Sequence, residues 1–261
     1  MKARSQSSWT PTKRSKRRHQ NVHTTKAWSV RDAVTELRRY GTKRNVDGMA
    51  RFGIRAKLVY GVSKPRMDEI ARKIGKNHAL GLKLWHTGIH DARILGMLIS
   101  EAPLVTSAQM EKWVRDFDNW DVCDGTCCHL FVDVPLAWKK AFAWSARKKE
   151  FEKRAGFALA AFLAVHDQAA DDKIFRSFLE VIEREASDDR NFVRKAVNWA
   201  LRNIGKRNRE LNRDAIAAAE KIRFAGTPAG RWVAADALRE LKSEAVQKRL
   251  RTKEISGHGA G

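Results

Sequence analysis

At 261 residues the chain has room for one large domain or two small ones, and a hydrophobic content of 43% is ample for a core. Lys and Arg number 52 against 30 Asp and Glu, a formal net charge of +22 with a pI near 10.4, and such a surplus points to a polyanionic partner, nucleic acid first. No apolar run approaches the roughly 18 residues of a membrane span, no Lys-rich helix has a pure Leu/Phe face, and the N-terminus lacks the apolar stretch of a secretory signal, so the expected location is the cytoplasm with no membrane partner.

The first 28 residues hold eight Lys/Arg and no acid, including the run KRSKRRH at 13–19. They read as a disordered basic arm that lengthens non-specific contact with DNA. An organelle transit peptide has a similar composition, but the amphipathic periodicity is missing. Removing those eight cations from +22 leaves +14, so the basic character belongs to the fold too.

Over residues 29–251 the chain reads as helix after helix. Ser29 caps one through Tyr40, with Val30, Val34 and Leu37 inward and Gly41 as its stop. Lys64-Pro65 opens another, turning Met67, Ile70, Ala71 and Ile74 to the core before Gly75. Helices are predicted at 77–87 and 89–101. Thr106–Gln109 then has capping-box form ahead of Met110, Trp113, Val114 and Phe117. The rest fall at 119–131, 135–146, 150–166, 172–186, 190–204, 209–225, 228–242 and 243–251, leaving 252–261 as a flexible tail. No strand pattern appears. Helix pairs of about 12 to 18 residues with short connections suit an all-α, right-handed solenoid of HEAT-like antiparallel pairs with a basic concave face. An irregular all-helical globule is the alternative.

Two constellations stand out. In Asp118-Asn119-Trp120-Asp121-Val122-Cys123-Asp124, a helix capped by Asp118 places Trp120 and Asp124 one turn apart on one face, away from Val122, Cys123 and Leu130. A carboxylate on a DNA-facing surface repels phosphates, which implies that something cationic is met there; alternatively, Asp124 pairs with a nearby Lys or Arg. Further on, NFVRKAVNWALRNIGK at 191–206 gathers Val193, Ala196, Val197, Ala200, Leu201 and Ile204 on one face. Lys195, Trp199, Arg202 and Lys206 align on the other. Cations flanking an indole make a platform for a phosphate backbone and a base or sugar, unless a neighbouring helix covers that face and Trp199 simply packs.

Three cysteines, Cys123, Cys127 and Cys128, lie within six residues of each other. An odd, clustered set is no disulfide framework, and reduced thiols are expected. With His129 they form C-x3-C-C-H, but neighbouring residues of one helix diverge by about 100°, so no metal is expected and packing is the simpler account.

Taken together, FDNWDVCD at 117–124, FEKRAGFALAAFLAV at 151–165 and DDRNFVRKAVNWALRNIGKRN at 188–208 resemble the AlkD-type DNA alkylation repair family, HEAT-like-repeat DNA glycosylases that excise alkylated purines. MARFGIRAKLVYGVSKPRMDEIARKIG at 49–75 and LWHTGIHDARILG at 84–96 match the family's amino-terminal half, so the resemblance runs from about Ser29 to Phe224. It implies that Trp120 and Trp199 line the lesion site, that Asp124 is the catalytic aspartate, and that Arg154 holds the DNA backbone near the lesion. Residue chemistry adds that Arg154, inside a helix apolar on nearly every side, needs an anionic partner, with an acid of a neighbouring helix as the other candidate. The chain departs from the family at Asn119, where members often carry a second aromatic, and in its cysteines.

The chemistry implied is cleavage of an N-glycosidic bond through an oxocarbenium-like sugar. Asp124 would stabilise that cation and orient water, with Trp120 and Trp199 flanking the deoxyribose. Lys195, Arg202, Lys206 and Arg207 would hold phosphates on either side. The expected substrate is double-stranded DNA carrying 3-methyladenine or 7-methylguanine, with no cofactor and a monomeric enzyme. The resemblance further implies that the lesion stays stacked rather than being flipped. A non-catalytic HEAT-type binder of damaged or branched DNA and a helical scaffold for an acidic protein are the readings from other classes.

Overall fold

The computed structural model describes residues 27–257, so the basic arm expected over 1–28 lies almost wholly outside the described residues. Polar caps start many of its helices. Ser29 opens α1 (Val30–Tyr40) with a full capping box to Asp32. Thr42 caps α2 (Lys43–Arg51), a helix the sequence reading did not predict. After α3 (Lys64–Ile74), Asn77 caps α4 (His78–His86), which turns back as α5 (His90–Ile99). Thr106 caps α6 (Ser107–Arg115), accepting from the Gln109 N–H, and α7 (Trp120–His129) and α8 (Ala137–Ser145) follow. The long α9 (Glu150–His166) precedes α10 (Asp172–Glu185), α11 (Asn191–Gly205), α12 (Arg209–Ala225), α13 (Pro228–Leu241) and α14 (Glu244–Gly257). The last of these runs six residues past the boundary expected at 251. Among the described residues there is no strand beyond one isolated bridge between Gly41 and Val62, and no helix long and apolar enough to cross a membrane.

The helices stack in two rows, as an α-solenoid does. The outer row is tied by aromatic rings: Trp85 of α4 stacks on Trp113 of α6 at 3.8 Å, and Trp138 of α8 meets Phe175 of α10 at 5.0 Å. The inner row is α5, α7, α9, α11 and α13. Its members run parallel, because contacts advance in step: Arg154 and then Asn203 bond α9 to α11, Asn198 and then Lys206 bond α11 to α13. In the middle of this row, α9 is buried on every side from Glu152 to Ala161. Small residues permit that. At Gly156 a Cβ would stand 2.3 Å from the Ser145 backbone nitrogen, so only glycine lets α8 and α9 approach so closely.

Candidate nucleic-acid interface and aspartate site

Asp124 lies in the second turn of α7. Asn119, and not Asp118, caps that helix, its side-chain oxygen accepting from the Asp121 and Val122 N–H groups at 3.0 and 3.1 Å. Asp118 instead accepts from the Asn119 side chain and faces Arg93 at 3.7 Å. The resulting register buries Val122 and Cys123 completely and leaves Trp120 and Asp124 half-buried.

Arg154 of α9 grips Asp124 as a fork, Nε to Oδ1 at 2.8 Å and Nη2 to Oδ2 at 2.6 Å. Its remaining nitrogen, Nη1, donates to the Phe192 carbonyl at 2.6 Å. The anionic partner that an interior arginine needs is therefore the candidate catalytic carboxylate itself. Arg154 is 7% exposed with all three nitrogens engaged, so it meets a phosphate only by loosening this pair. Burial pushes the Asp124 carboxyl up from its ordinary value against the pull of the Arg154 guanidinium. Burial alone would lower Arg154, but the Asp124 charge overrides it and raises it. The fork takes one lone pair from each carboxylate oxygen and leaves the other two for a cation or a water.

Phe192 completes the pair's surroundings. Its ring lies 6.0 Å from the Arg154 guanidinium carbon and 5.3 Å from the Phe151 ring. Gly53, held at φ +81, passes so close that a Cβ would meet the Phe192 ring at 3.1 Å. One residue earlier, the Phe52 carbonyl accepts from Trp120 Nε1 at 2.9 Å. The segment after α2 thus crosses the amino-terminal ends of α7 and α11. Trp120 also walls a cleft of about 540 Å³ with Arg44, Asn45, Met49, Arg51 and Phe52. Below, the buried Asp91 carboxylate accepts from the Tyr60 and Val62 N–H groups at 2.6 and 2.8 Å and anchors the chain that returns from this crossing. Sequence reasoning missed both α2 and Phe192. Val46 and Met49, three residues apart, are a weak signal for the first, and nothing in the spacing around Phe192 marks the second.

The other expected site residues all lie on α11 or just after it. Trp199 sets its ring edge-on to Phe162 at 4.8 Å, and Phe162 lies eight residues, about 12 Å, along α9 from Arg154. The α11 aromatic beside the Asp124–Arg154 pair is therefore Phe192. Lys195 is exposed and forms no ion pair among the described residues. Arg202 and Lys206 both reach Glu240 of α13, at 2.5 and 2.6 Å, with Asp236 3.6 Å from Arg202. Burial would raise the Glu240 carboxyl, but Lys206 and Arg202 together hold it below the usual range. The basic concave face expected from composition is thus partly neutralised at this point. Arg207 is a correction: its side chain is 8% exposed, donates to the Ala164, Gln168 and Ala170 carbonyls, and lies 4.3 Å over the Phe175 ring. It serves the last turn of α9 and the connection to α10, where carbonyls lack helical partners, so its donors are engaged within the fold.

Cys123 and Cys127 point their sulfurs at the Phe151 and Ala155 carbonyls, 3.6 and 3.7 Å away, fully buried in the α7–α9 seam. Burial pushes the Cys123 thiol well up. No group of three His, Cys, Asp or Glu side chains among the described residues is disposed to hold a metal.

The same architecture occurs in a solved structure described as belonging to "a new family of proteins related to the HEAT-like repeat DNA glycosylases with affinity for branched DNA structures". The TM-score is 0.67 at 21% identity, over 74% of this chain and 83% of that one. That likeness concerns the fold. No curated protein matches the chain. A family model described as "DNA alkylation repair enzyme" matches residues 33–241, which spans every inner helix and the Asp124–Arg154 pair, and the chain belongs to that family.

Proposed function

We propose that this protein is a DNA glycosylase that removes positively charged N3- and N7-alkylated purines from double-stranded DNA, with Asp124 stabilising the sugar cation. One observation carries the reading: in a chain of net charge +22, a carboxylate is kept on the inner face, held in one orientation by Arg154 and shielded from most of the solvent. A fixed, partly desolvated charge acts on a developing cation far more strongly than one in water. Binding of a duplex adds phosphates that compete for Arg154 and free the carboxylate for the sugar. Trp120, one turn before Asp124 on α7 and pinned through Nε1 to the Phe52 carbonyl, would offer its ring to the sugar. Lys195 supplies an unpaired cation two helices away, and Arg44 and Arg51 flank the cleft in front of Trp120. The test is release of 3-methyladenine and 7-methylguanine from methylated duplex DNA by wild type and by Asp124→Asn. Equal release by both removes Asp124 from the reaction.

A second reading, a non-catalytic binder of branched DNA, draws support from a specific observation. Arg154 engages both oxygens of Asp124, and Trp199 packs on Phe162 two turns along α9 from the pair. The structural neighbour is described by affinity for branched DNA. No base release from either methylated substrate, with tighter binding to a junction than to a duplex, selects this reading.

A further inference from the structure

Four of the five inner helices bring their fifth residue to a similar level, as the Asp124–Arg154, Arg154–Phe192 and Arg194–Trp232 contacts show: Asp124 on α7, Arg154 on α9, Lys195 on α11 and Trp232 on α13. Trp232 is 39% exposed, although its helix buries Ala229, Gly230, Val233 and Ala234 completely or nearly so. The guanidinium of Arg194 lies 4.6 Å from the Trp232 ring centre. Arg194 Nε is itself buried without a hydrogen-bond partner, and no ion pair among the described residues involves Arg194. The stack is therefore not part of an ion-pair lattice of the kind that joins Arg202 and Lys206 to Glu240 about two and three turns later. With Arg194 on one face, the exposed part of the indole is open to a ligand; the exposed Lys195 follows Arg194 on α11, and Asp236, one turn along α13 from Trp232, is already engaged by Asn198 and Arg239.

We propose that Trp232, backed by Arg194, is a second nucleic-acid contact that takes an unpaired base of a strand leaving the duplex bound at Asp124. The inference rests on the inner face being the DNA-binding face, but not on catalysis. Phosphates are satisfied by cations alone; an indole braced by a guanidinium offers a π face, and an unpaired, unstacked base can lay its own against it. Three helix spacings separate Trp232 from Asp124, about 24–30 Å. At about 3.4 Å per stacked nucleotide, that places the captured base some seven to nine positions from the lesion or branch.

The test compares labelled duplexes carrying one methylated base about six base pairs from one end, with and without a single-stranded flank of about ten nucleotides at that end. Trp232→Ala should weaken binding of the flanked DNA on the order of ten-fold, leave the blunt duplex within about two-fold, and Trp232→Phe should recover most of the loss. Equal weakening on both DNAs, or none on either, overturns the proposal. In parallel, unmodified protein is irradiated with a flank carrying 5-iodouracil at each position in turn. The crosslink should map to Trp232 only for positions about seven to nine nucleotides from the methylated base, and a map that avoids Trp232 overturns the proposal without recourse to a variant. Base excision by Trp232→Ala at saturating enzyme should equal wild type. Absence of excision from both proteins, with the flank-specific loss intact, defeats the glycosylase reading and leaves this one standing.

Discussion

The Asp124–Arg154 pair between α7 and α9 and the Glu240–Arg202–Lys206 cluster between α11 and α13 are the same device: acid on one inner helix, base on the next. They differ in burial and in geometry. The first is a two-point fork whose side chains are 9% and 17% exposed; the second is a set of single contacts with its members 22–31% exposed. Desolvation makes the first pair strong, directional and costly to break, whereas solvent screens the second. The same carboxylate chemistry therefore gives a poised charge in one place and an exchangeable counter-ion in the other.

The largest expected effect follows from that contrast. Asp124→Asn should slow release of 7-methylguanine by about two to three orders of magnitude, since a dipole replaces a fixed charge. Glu240→Gln should leave the rate at saturating enzyme within a few-fold. Single-turnover base release measures both, and similar losses in the two variants would erase the distinction. Because burial raises the Asp124 carboxyl, its charge is present above that raised value and lost below it. The acid limb of excision should then lie above the ordinary aspartate range.

Stability should separate the two bridges next. Arg154→Met leaves the Asp124 carboxylate buried without its partner and should cost about 3 kcal/mol in urea unfolding. Arg202→Met, at the exposed cluster, should cost less than about 1 kcal/mol. A third acid extends the comparison to the outer row. Glu111 of α6 accepts from Lys140 at 2.7 Å, from Trp144 Nε1 at 3.1 Å and from Arg147 at 2.5 Å. Burial would raise this carboxyl, but those donors, Arg147 first, hold it down to about 2. A depressed carboxyl stabilises the fold above its unfolded value, near 4.5, and the contribution is lost as pH falls towards 2. Unfolding free energy should drop on the order of 2 kcal/mol over that window after solvent screening, and Glu111→Gln should flatten the decline. An unchanged slope in the variant would place the acid sensitivity elsewhere.

How far these features were legible in the residues depends on whether the signal was local. The α11 stripe Val193, Ala196, Val197, Ala200, Leu201 and Ile204 is wholly buried, as its 3.6-residue period requires. The Ser29 and Thr106 caps also lie where the residue types put them. Arg154 demanded an anion on burial grounds, but its identity as Asp124 depends on two helices thirty residues apart coming side by side, which no period encodes. Arg207 failed for the same reason. Its neighbours in sequence are cations and asparagines, while its neighbours in space are the Ala164, Gln168 and Ala170 carbonyls and the Asp172 carboxylate. The short α2 buries no residue and so left too weak a stripe to see.

The smallest expected effect tests whether the α11–α13 cluster restrains DNA binding. Arg202 and Lys206 are both held by Glu240, so a phosphate arriving at either must displace a carboxylate already in place. Glu240→Gln removes the competing charge while keeping the side chain's length. Both cations then become available, and duplex affinity should rise a few-fold at low salt. Each phosphate newly neutralised releases a counter-ion, so the slope of log affinity against log salt should steepen by about one per contact. Asp236, 3.6 Å from Arg202, remains as a weaker partner and limits the gain to nearer one contact than two. Anisotropy titrations at two salt concentrations read both quantities. A variant with unchanged affinity and slope would mean that DNA never reaches this strip, and that the duplex is held between Trp120 and Lys195 alone.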